Sequence, residues 1–274
     1  MGLRSWMKRK MGQGGPVVPV VRLHGVIAAD QRPGRLNIET VAPLLKRAFA
    51  VKSAPAVAII INSPGGSAVQ SRLISKRIRD LADQHEKPVL VFVEDAAASG
   101  GYFIATAGDE IIADPSSIVG SVGVIFAGFG FVETLKKVGV DRRVHTSGRN
   151  KSTLDPFLPE KPEDVERIKQ METDIHQVFI DWVKMRRGDR LKASDDLLFT
   201  GEFWSGIRGL ELGLVDGLGD LHEVLQTRYG DKVELLPIGP KRRLFSLPGF
   251  GLAALAGDVA ANIEDRSVWA RLGL

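Results

Sequence analysis

The chain has no cysteine in its 274 residues. That excludes disulfides, thiolate metal sites and a cysteine nucleophile together, and leaves the redox compartment open. Long apolar runs are missing too. Residues 17–29 are interrupted by Pro19, Arg22 and His24, and the C-terminal LFSLPGFGLAALAG by Pro248 with Asp258 close behind, so no membrane span is expected. The basic start MGLRSWMKRK is not followed by an apolar signal core, and a cytoplasmic or membrane-peripheral location is expected. There is no HExxH and no P-loop, and Gly128-Phe129-Gly130 lacks the third glycine of a dinucleotide loop. No G-x-S-x-G surrounds Ser99, because Ala97 stands two residues before it. The five histidines (His24, His85, His145, His176, His222) are scattered without an acidic partner at motif spacing, which argues against a histidine-dependent triad.

What is present is ordinary globular material, 44% hydrophobic and 26% charged, which excludes disordered and collagen-like classes. The net charge of +4 is spread along the chain, apart from the basic start and Lys241-Arg242-Arg243. Neither patch has the interleaved aromatics or the module of a nucleic-acid binder, so no nucleic-acid partner is expected. Peripheral contact with an anionic membrane is the weaker alternative.

Apolar strands alternate with helices. Val17–Ile27 reads as a first strand, and Asn37 can cap a helix with Ile38, Val41, Leu45 and Phe49 at helical spacing. The run AVAIII (56–61) reads as a strand buried on both faces. After it, NSPGG supplies a stiff turn with two permissive glycines. The next helix is expected to turn Val69, Leu73, Ile78 and Leu81 inward and Arg72, Lys76 and Arg79 outward. Strands follow at Val89–Val93 and Glu110–Ala113, then an amphipathic helix with Phe131, Leu135 and Val138. A long helix from Pro162 to Arg187 carries Val165, Ile168, Met171, Ile175, Val178 and Trp182 on a face expected to be buried. A further helix lies in FTGEFWSGIRGLELGLVDGLGD, and a weak strand at Val233–Leu236. This implies a flexible basic stretch over 1–15, one domain over 16–230 and a C-terminal extension over 231–274 that could serve assembly. Periodicity alone leaves a doubly wound sheet and a stacked ββα spiral both open.

The stretch DAAASGGYFIA (95–105) carries the chemistry. A strand, three alanines, Ser99 and then Gly100-Gly101 would expose a serine hydroxyl at a strand-to-helix turn, with room for a carbonyl carbon to approach. The Gly100 amide could then face an oxyanion. A tight packing turn would use the same residues. Lys151, in SGRNKSTLDPF among Ser147, Ser152 and Thr153, is a candidate base. To act as one its ammonium must lose a proton near neutral pH, which costs roughly 4 kcal/mol against an ordinary lysine and calls for burial that the sequence does not establish.

Four motifs in order, INSPGG (61–66), DAAASGGYFIA (95–105), GSVGVI (120–125) and SGRNKSTLDPF (147–157), with LELGLVDGLGD (210–220) as a fifth, resemble the signal peptide peptidase A family. The likeness runs from about Val17 to about Gly219. It implies an α/β, Clp-protease/crotonase-like stacked ββα spiral with flanking helices. It also implies a serine endopeptidase cleaving extended apolar peptides, such as remnant signal peptides, through an acyl-enzyme. By the resemblance Ser99 is the nucleophile, Lys151 the general base and Ser121 the hydroxyl that orients it. The amides of Gly65 or Gly66 and of Gly100 form the oxyanion hole. A ring-like homo-oligomer is implied, and no metal or organic cofactor. A crotonase-like acyl-CoA enzyme, and a catalytically silent scaffold that binds membrane-protein segments, are the alternatives.

Overall fold

The computed structural model describes residues 15–240 and 265–274. The basic start, the Lys241-Arg242-Arg243 patch and residues 241–264 of the expected extension lie outside them. Eight strands form one sheet, in the order β6-β5-β3-β2-β1-β8, with β4 also against β3 and β7 against β4. In chain order these are β1 (Val17–His24), β2 (Val57–Ser63), β3 (Val89–Ala98), β4 (Glu110–Ala113), β5 (Ile118–Gly120), β6 (Phe203–Ser205), β7 (Gly217–Leu218) and β8 (Glu234–Ile238). The helices are α1 (Ile38–Phe49), α2 (Ala68–His85), α3 (Gly100–Ala105), α4 (Val132–Lys137), α5 (Pro162–Arg187), α6 (Asp195–Leu198), α7 (Gly206–Leu212) and α8 (Leu221–Tyr229). Every pairing is parallel except β5 with β6.

The branch point is β3. Its first half, Leu90–Val93, pairs with β4, and its end, Ala96–Ala98, pairs with β5. The partially exposed Glu94 and the exposed Asp95 mark the division between them. One strand thus feeds two branches of sheet, which is the arrangement a ββα spiral requires and a doubly wound sheet does not. Strand β2 is buried along its whole length, as its unbroken apolar run predicts. Ile59 and Ile61 face the larger core beneath α1, α2 and α3, and Ala58 and Ile60 the smaller one beneath α8. Burial of each such isoleucine contributes roughly 1.5–3 kcal/mol. β8, beginning after residue 230, closes the sheet edge beside β1. Residues 265–274 attach to the same region, through Asp265 on Arg35 at 2.7 Å and Trp269 stacked on His24.

Local signals hold where the chemistry is local. Asn37 caps α1 in a reciprocal capping box with Thr40. Pro162 opens α5 with Glu163 and Asp164 in the first turn, and Lys184, Arg186 and Arg187 complement the dipole in the last.

Three expectations need correction. On α2, Val69 and Leu73 are exposed, while Ser71, Ile74, Ser75 and Ile78 face the core. The two serines fit there because their hydroxyls donate to helix carbonyls, Ser71 to Ser67 O at 2.8 Å and Ser75 to Ser71 O at 2.8 Å. Helix α4 buries no residue, and Val138 beyond it is 65% exposed. Helix α5 buries fully only Asp164, Phe179, Val183 and Arg187, so its apolar stripe is covered mainly near the C-terminal end. There Phe179 and Trp182 pack on Phe103 of α3, with centroids 4.9 and 5.6 Å away. Trp182 Nε1 also donates to Thr106 Oγ1 at 2.9 Å. The end of α5 therefore holds the helix that follows Ser99 from behind.

Candidate active site

Ser99 stands where β3 ends and α3 begins, with φ 50° and ψ −120°. A residue with a side chain pays about 1–3 kcal/mol to hold such a backbone and does so only when its surroundings impose it. Here the Ser99 N–H donates to Gly120 O at 2.8 Å, and the Phe103 N–H to Ser99 O at 2.9 Å. The Ser99 hydroxyl does not cap α3. Ser99 is half-buried, on a sharp strand-to-helix turn.

The neighbouring glycines are demanded by closeness. A Cβ on Gly65 would lie 2.8 Å from Ser99 Cβ and 2.9 Å from Gly100 N. One on Gly66 would meet Ile27 O at 2.0 Å, and one on Gly100 would meet Ser71 Oγ at 2.4 Å and Gly66 N at 3.3 Å. Gly65 and Gly66 also hold φ of 103° and 138°. The NSPGG turn after β2 and the SGG turn after β3 are thus in contact, as strands paired at Ser63 and Ala97 require.

The amides of the first turn are not equivalent. The Gly65 N–H donates to Ser63 Oγ at 3.2 Å. Ile27 bridges the turn, its N–H on Gly65 O and its carbonyl taking the Ser67 N–H, both at 2.8 Å. No turn, loop or side-chain hydrogen bond among the described residues engages the amides of Gly66 or Gly100. Two unengaged donors lie beside Ser99.

Ser121 adjoins this turn through the backbone. It follows Gly120, whose carbonyl holds Ser99, and it too has a positive φ, 56°, with its N–H on Glu202 O at 2.6 Å. Trp204 covers Gly120 closely enough to exclude a Cβ there. His176 Nε2–H donates to Val122 O at 3.0 Å, which gives that histidine a structural place.

Lys151 is not in this cluster. It is exposed, its N–H donates to Gly148 O, and no hydrogen bond joins its ammonium to Ser99 or Ser121. It belongs to an arm, residues 123–158, that leaves the body after Val122 and bends back on itself. Phe131 N–H donates to Pro156 O at 2.6 Å, Phe131 stacks on Phe157, and Arg142 pairs with Asp155 at 2.8 Å. The Arg142 guanidinium, with the Phe157 N–H, holds the Asp155 carboxyl below the usual carboxylate range. The arm nonetheless exposes Ile125, Phe126, Phe129, Val138 and Val140, with Phe129 at 82%.

Two parts of the surroundings were not legible beforehand. Ser63, a hydroxyl residue at the end of an otherwise apolar strand, is the signal in INSPGG that the motif alone does not interpret. Tyr102, directly after the glycines, is fully buried and donates to Leu214 O at 2.7 Å, and burial pushes its phenol pKa well up. A cavity of about 420 Å3 lies on the other side of the sheet, lined by Arg22, Glu94, Asp95, Asp114, Asp220 and His222 among others. It contains none of the site residues expected from sequence.

Comparison with known proteins gives the arrangement its relatives. The model of peptidase family S49 matches residues 82–233, more than half of the chain. A Methanocaldococcus jannaschii protein named as a protease is 30% identical over 253 residues, covering 88% of this chain and 78% of its own. Protease 4 of Haemophilus influenzae is 34% identical over 213 residues, covering 76% of this chain and 34% of its own length. A Brucella abortus protein named Na(+)/H(+) antiporter NhaA is 56% identical over 273 residues, 94% of this chain. This chain spans 37% of that relative's length, and no helix among the described residues is long and apolar enough to cross a membrane. In fold, a variant of the 1510-N membrane-bound stomatin-specific protease superposes with a TM-score of 0.52 at 18% identity, over 83% of this chain and 99% of its own. With a family match of that extent over a Clp-protease-like fold, the chain belongs to peptidase family S49.

Proposed function

We propose that this chain is a serine endopeptidase with Ser99 as nucleophile and Lys151 as general base. The observation that carries the reading is the strained Ser99 backbone, with two unengaged amides beside it. Ser99 Oγ attacks a peptide carbonyl carbon, and its proton passes to neutral Lys151, which Ser121 orients. The carbonyl oxygen becomes an oxyanion on the Gly66 and Gly100 amides, a contribution typically worth about 10²–10³ in rate per donor. Collapse expels the amine with that proton, and water then hydrolyses the acyl-enzyme. The substrate is an extended apolar peptide, such as a remnant signal peptide. In support, an Enterococcus faecium relative is named for signal peptide peptidase activity, and a second solved neighbour is a lysine-to-alanine variant holding a substrate peptide.

Lys151 must be brought to a serine, and the arm suggests how. Its exposed apolar residues call for a cover, and its charge suggests which one. Lys136, Lys137, Arg142, Arg143, Arg149 and Lys151 outweigh Glu133, Asp141 and Asp155 there. Over residues 162–181 of α5 the balance is reversed, with Glu163, Glu166, Glu172, Asp174 and Asp181, besides the buried Asp164, against Arg167 and Lys169, beside the exposed Met171 and Val178. A homo-oligomer in which one copy's arm meets another's α5 satisfies both surfaces.

The test is hydrolysis of fluorogenic apolar peptides across pH by wild type, Ser99→Ala and Lys151→Ala. Loss in both variants, with wild-type activity rising toward alkaline pH as a lysine base deprotonates, supports the dyad. If Lys151→Ala retains activity the base must be reassigned. If Ser99→Ala retains it, the peptidase site is elsewhere.

A further inference from the structure

Ser63 lies outside the roles described so far, yet it is fully buried at the end of β2, in contact with the reacting turn. Its hydroxyl has one proton and acceptor lone pairs, and both functions are used. Oγ donates to Gly25 O at 2.7 Å and accepts the Gly65 N–H at 3.2 Å. Gly25 is itself fixed, its N–H on Asn62 O at 2.9 Å. The hydroxyl therefore ties the NSPGG turn to the β1 side of the sheet, while Ile27 holds the turn by its backbone on either side of Gly66.

The consequence falls on the two glycine amides. With Gly65 N–H held by Ser63, only Gly66 N–H is left to act with Gly100. Its direction is fixed because Gly65 O and Ser67 N are both bound to Ile27. We infer that Ser63 is a positioning residue for the oxyanion hole: its hydroxyl withdraws the Gly65 amide and thereby aims the Gly66 amide at the reaction centre. This rests on the serine-peptidase reading above and adds to it a residue that touches no substrate. The neighbouring glycines leave the turn little freedom to compensate, since Gly101 approaches Ser63 O closely enough to exclude a Cβ.

Two measurements test it. In the first, Ser63→Ala is compared with Ser75→Ala, which removes an equally buried hydroxyl whose bonds go to Ser71 O and Phe103 O, away from the turn. At a temperature where circular dichroism shows both folded, Ser63→Ala should lose about 10- to 100-fold in kcat with KM little changed, because a misaligned donor acts on the transition state. Its affinity for a peptide aldehyde, which forms a hemiacetal oxyanion, should fall by the same factor, and Ser75→Ala should lose neither. Equal kcat in the two variants overturns the proposal. The second measurement needs no variant: a crystal structure of the wild type with a peptide aldehyde. The adduct oxygen should sit on Gly66 N and Gly100 N, with Gly65 N still on Ser63. An oxygen held by Gly65 N overturns this proposal alone, whereas an adduct absent from Ser99 removes the peptidase reading and this proposal with it.

Discussion

Replacing Gly65 by alanine separates damage to the site from damage to the fold. Two penalties apply. The φ of 103° is hostile to a side chain, at about 1–3 kcal/mol. The new Cβ would also lie 2.8 Å from Ser99 Cβ and from Ala98 O, and 2.9 Å from Gly100 N. Ordinary contact needs 3.4 Å or more, so the serine or the turn must retreat by roughly half an ångström. A misplacement of about 1 Å at a reacting group can remove 10²-fold, so a loss of roughly 10- to 100-fold in kcat/KM is expected. Gly34→Ala supplies the comparison, because Gly34 has φ 85° but nothing within 4 Å of the added Cβ. Both variants should lose stability in urea unfolding, Gly65→Ala the more because of its added clash, and under conditions where both are folded only Gly65→Ala should lose turnover of a fluorogenic peptide. If Gly65→Ala keeps kcat/KM within twofold of Gly34→Ala, the two turns do not meet at the reaction centre and the reasoning fails.

Arg187→Ala should destabilise the chain by about 1–3 kcal/mol, read from urea midpoints, because it removes the side-chain donors to the Gly213 carbonyl and takes the nearer of two arginines from the part-buried Asp216. Arg187 is 3% exposed, pairs with Asp216 at 2.7 Å and donates to Gly213 O. The same pair sets an acid limb. Burial alone would raise the Asp216 carboxyl, but the Arg187 bond and charge, with the Ile111 N–H, outweigh it and hold the pKa below 3.8. A depressed carboxylate stabilises the fold above its unfolded value and loses that contribution as pH falls from about 4 through the folded value, so wild-type stability should drop there and the limb should shrink in Arg187→Ala. On the arm, Phe129→Ser with Val138→Ser should lower oligomer mass in sedimentation without moving the unfolding midpoint, since both side chains are exposed in the single chain. An unchanged mass removes the arm from the assembly.

The main elements were legible because their determinants are local. The unbroken apolar run of β2, the Asn37 cap and the glycine pair at 65–66 each impose their geometry on the backbone within a few residues, and the pair at 100–101 permits the close approach of the neighbouring turn. Apolar spacing on α2 favours Val69 and Leu73 as the inward face, whereas Gly100 approaches Ser71 closely and Phe103 O accepts from Ser75, so small hydroxyl side chains face α3 there. The expected burial of α4 failed for another reason. Its amphipathic pattern is real, but none of its residues is buried among the described residues. Lys151 shares that arm, and its position in the folded chain, exposed and apart from Ser99, is not encoded by spacing. The engagement of the Gly65 N–H was likewise hidden, since it is a hydrogen bond to Ser63 Oγ, two residues away on a strained turn.

The most direct measurement is reaction of the folded protein with a fluorophosphonate, followed by mass spectrometry of its peptides. The account predicts one phosphonylated residue, Ser99, with loss of peptide hydrolysis in proportion to labelling and no labelling of Ser99→Ala. Labelling at another serine, or hydrolysis that persists when Ser99 is fully modified, would contradict it.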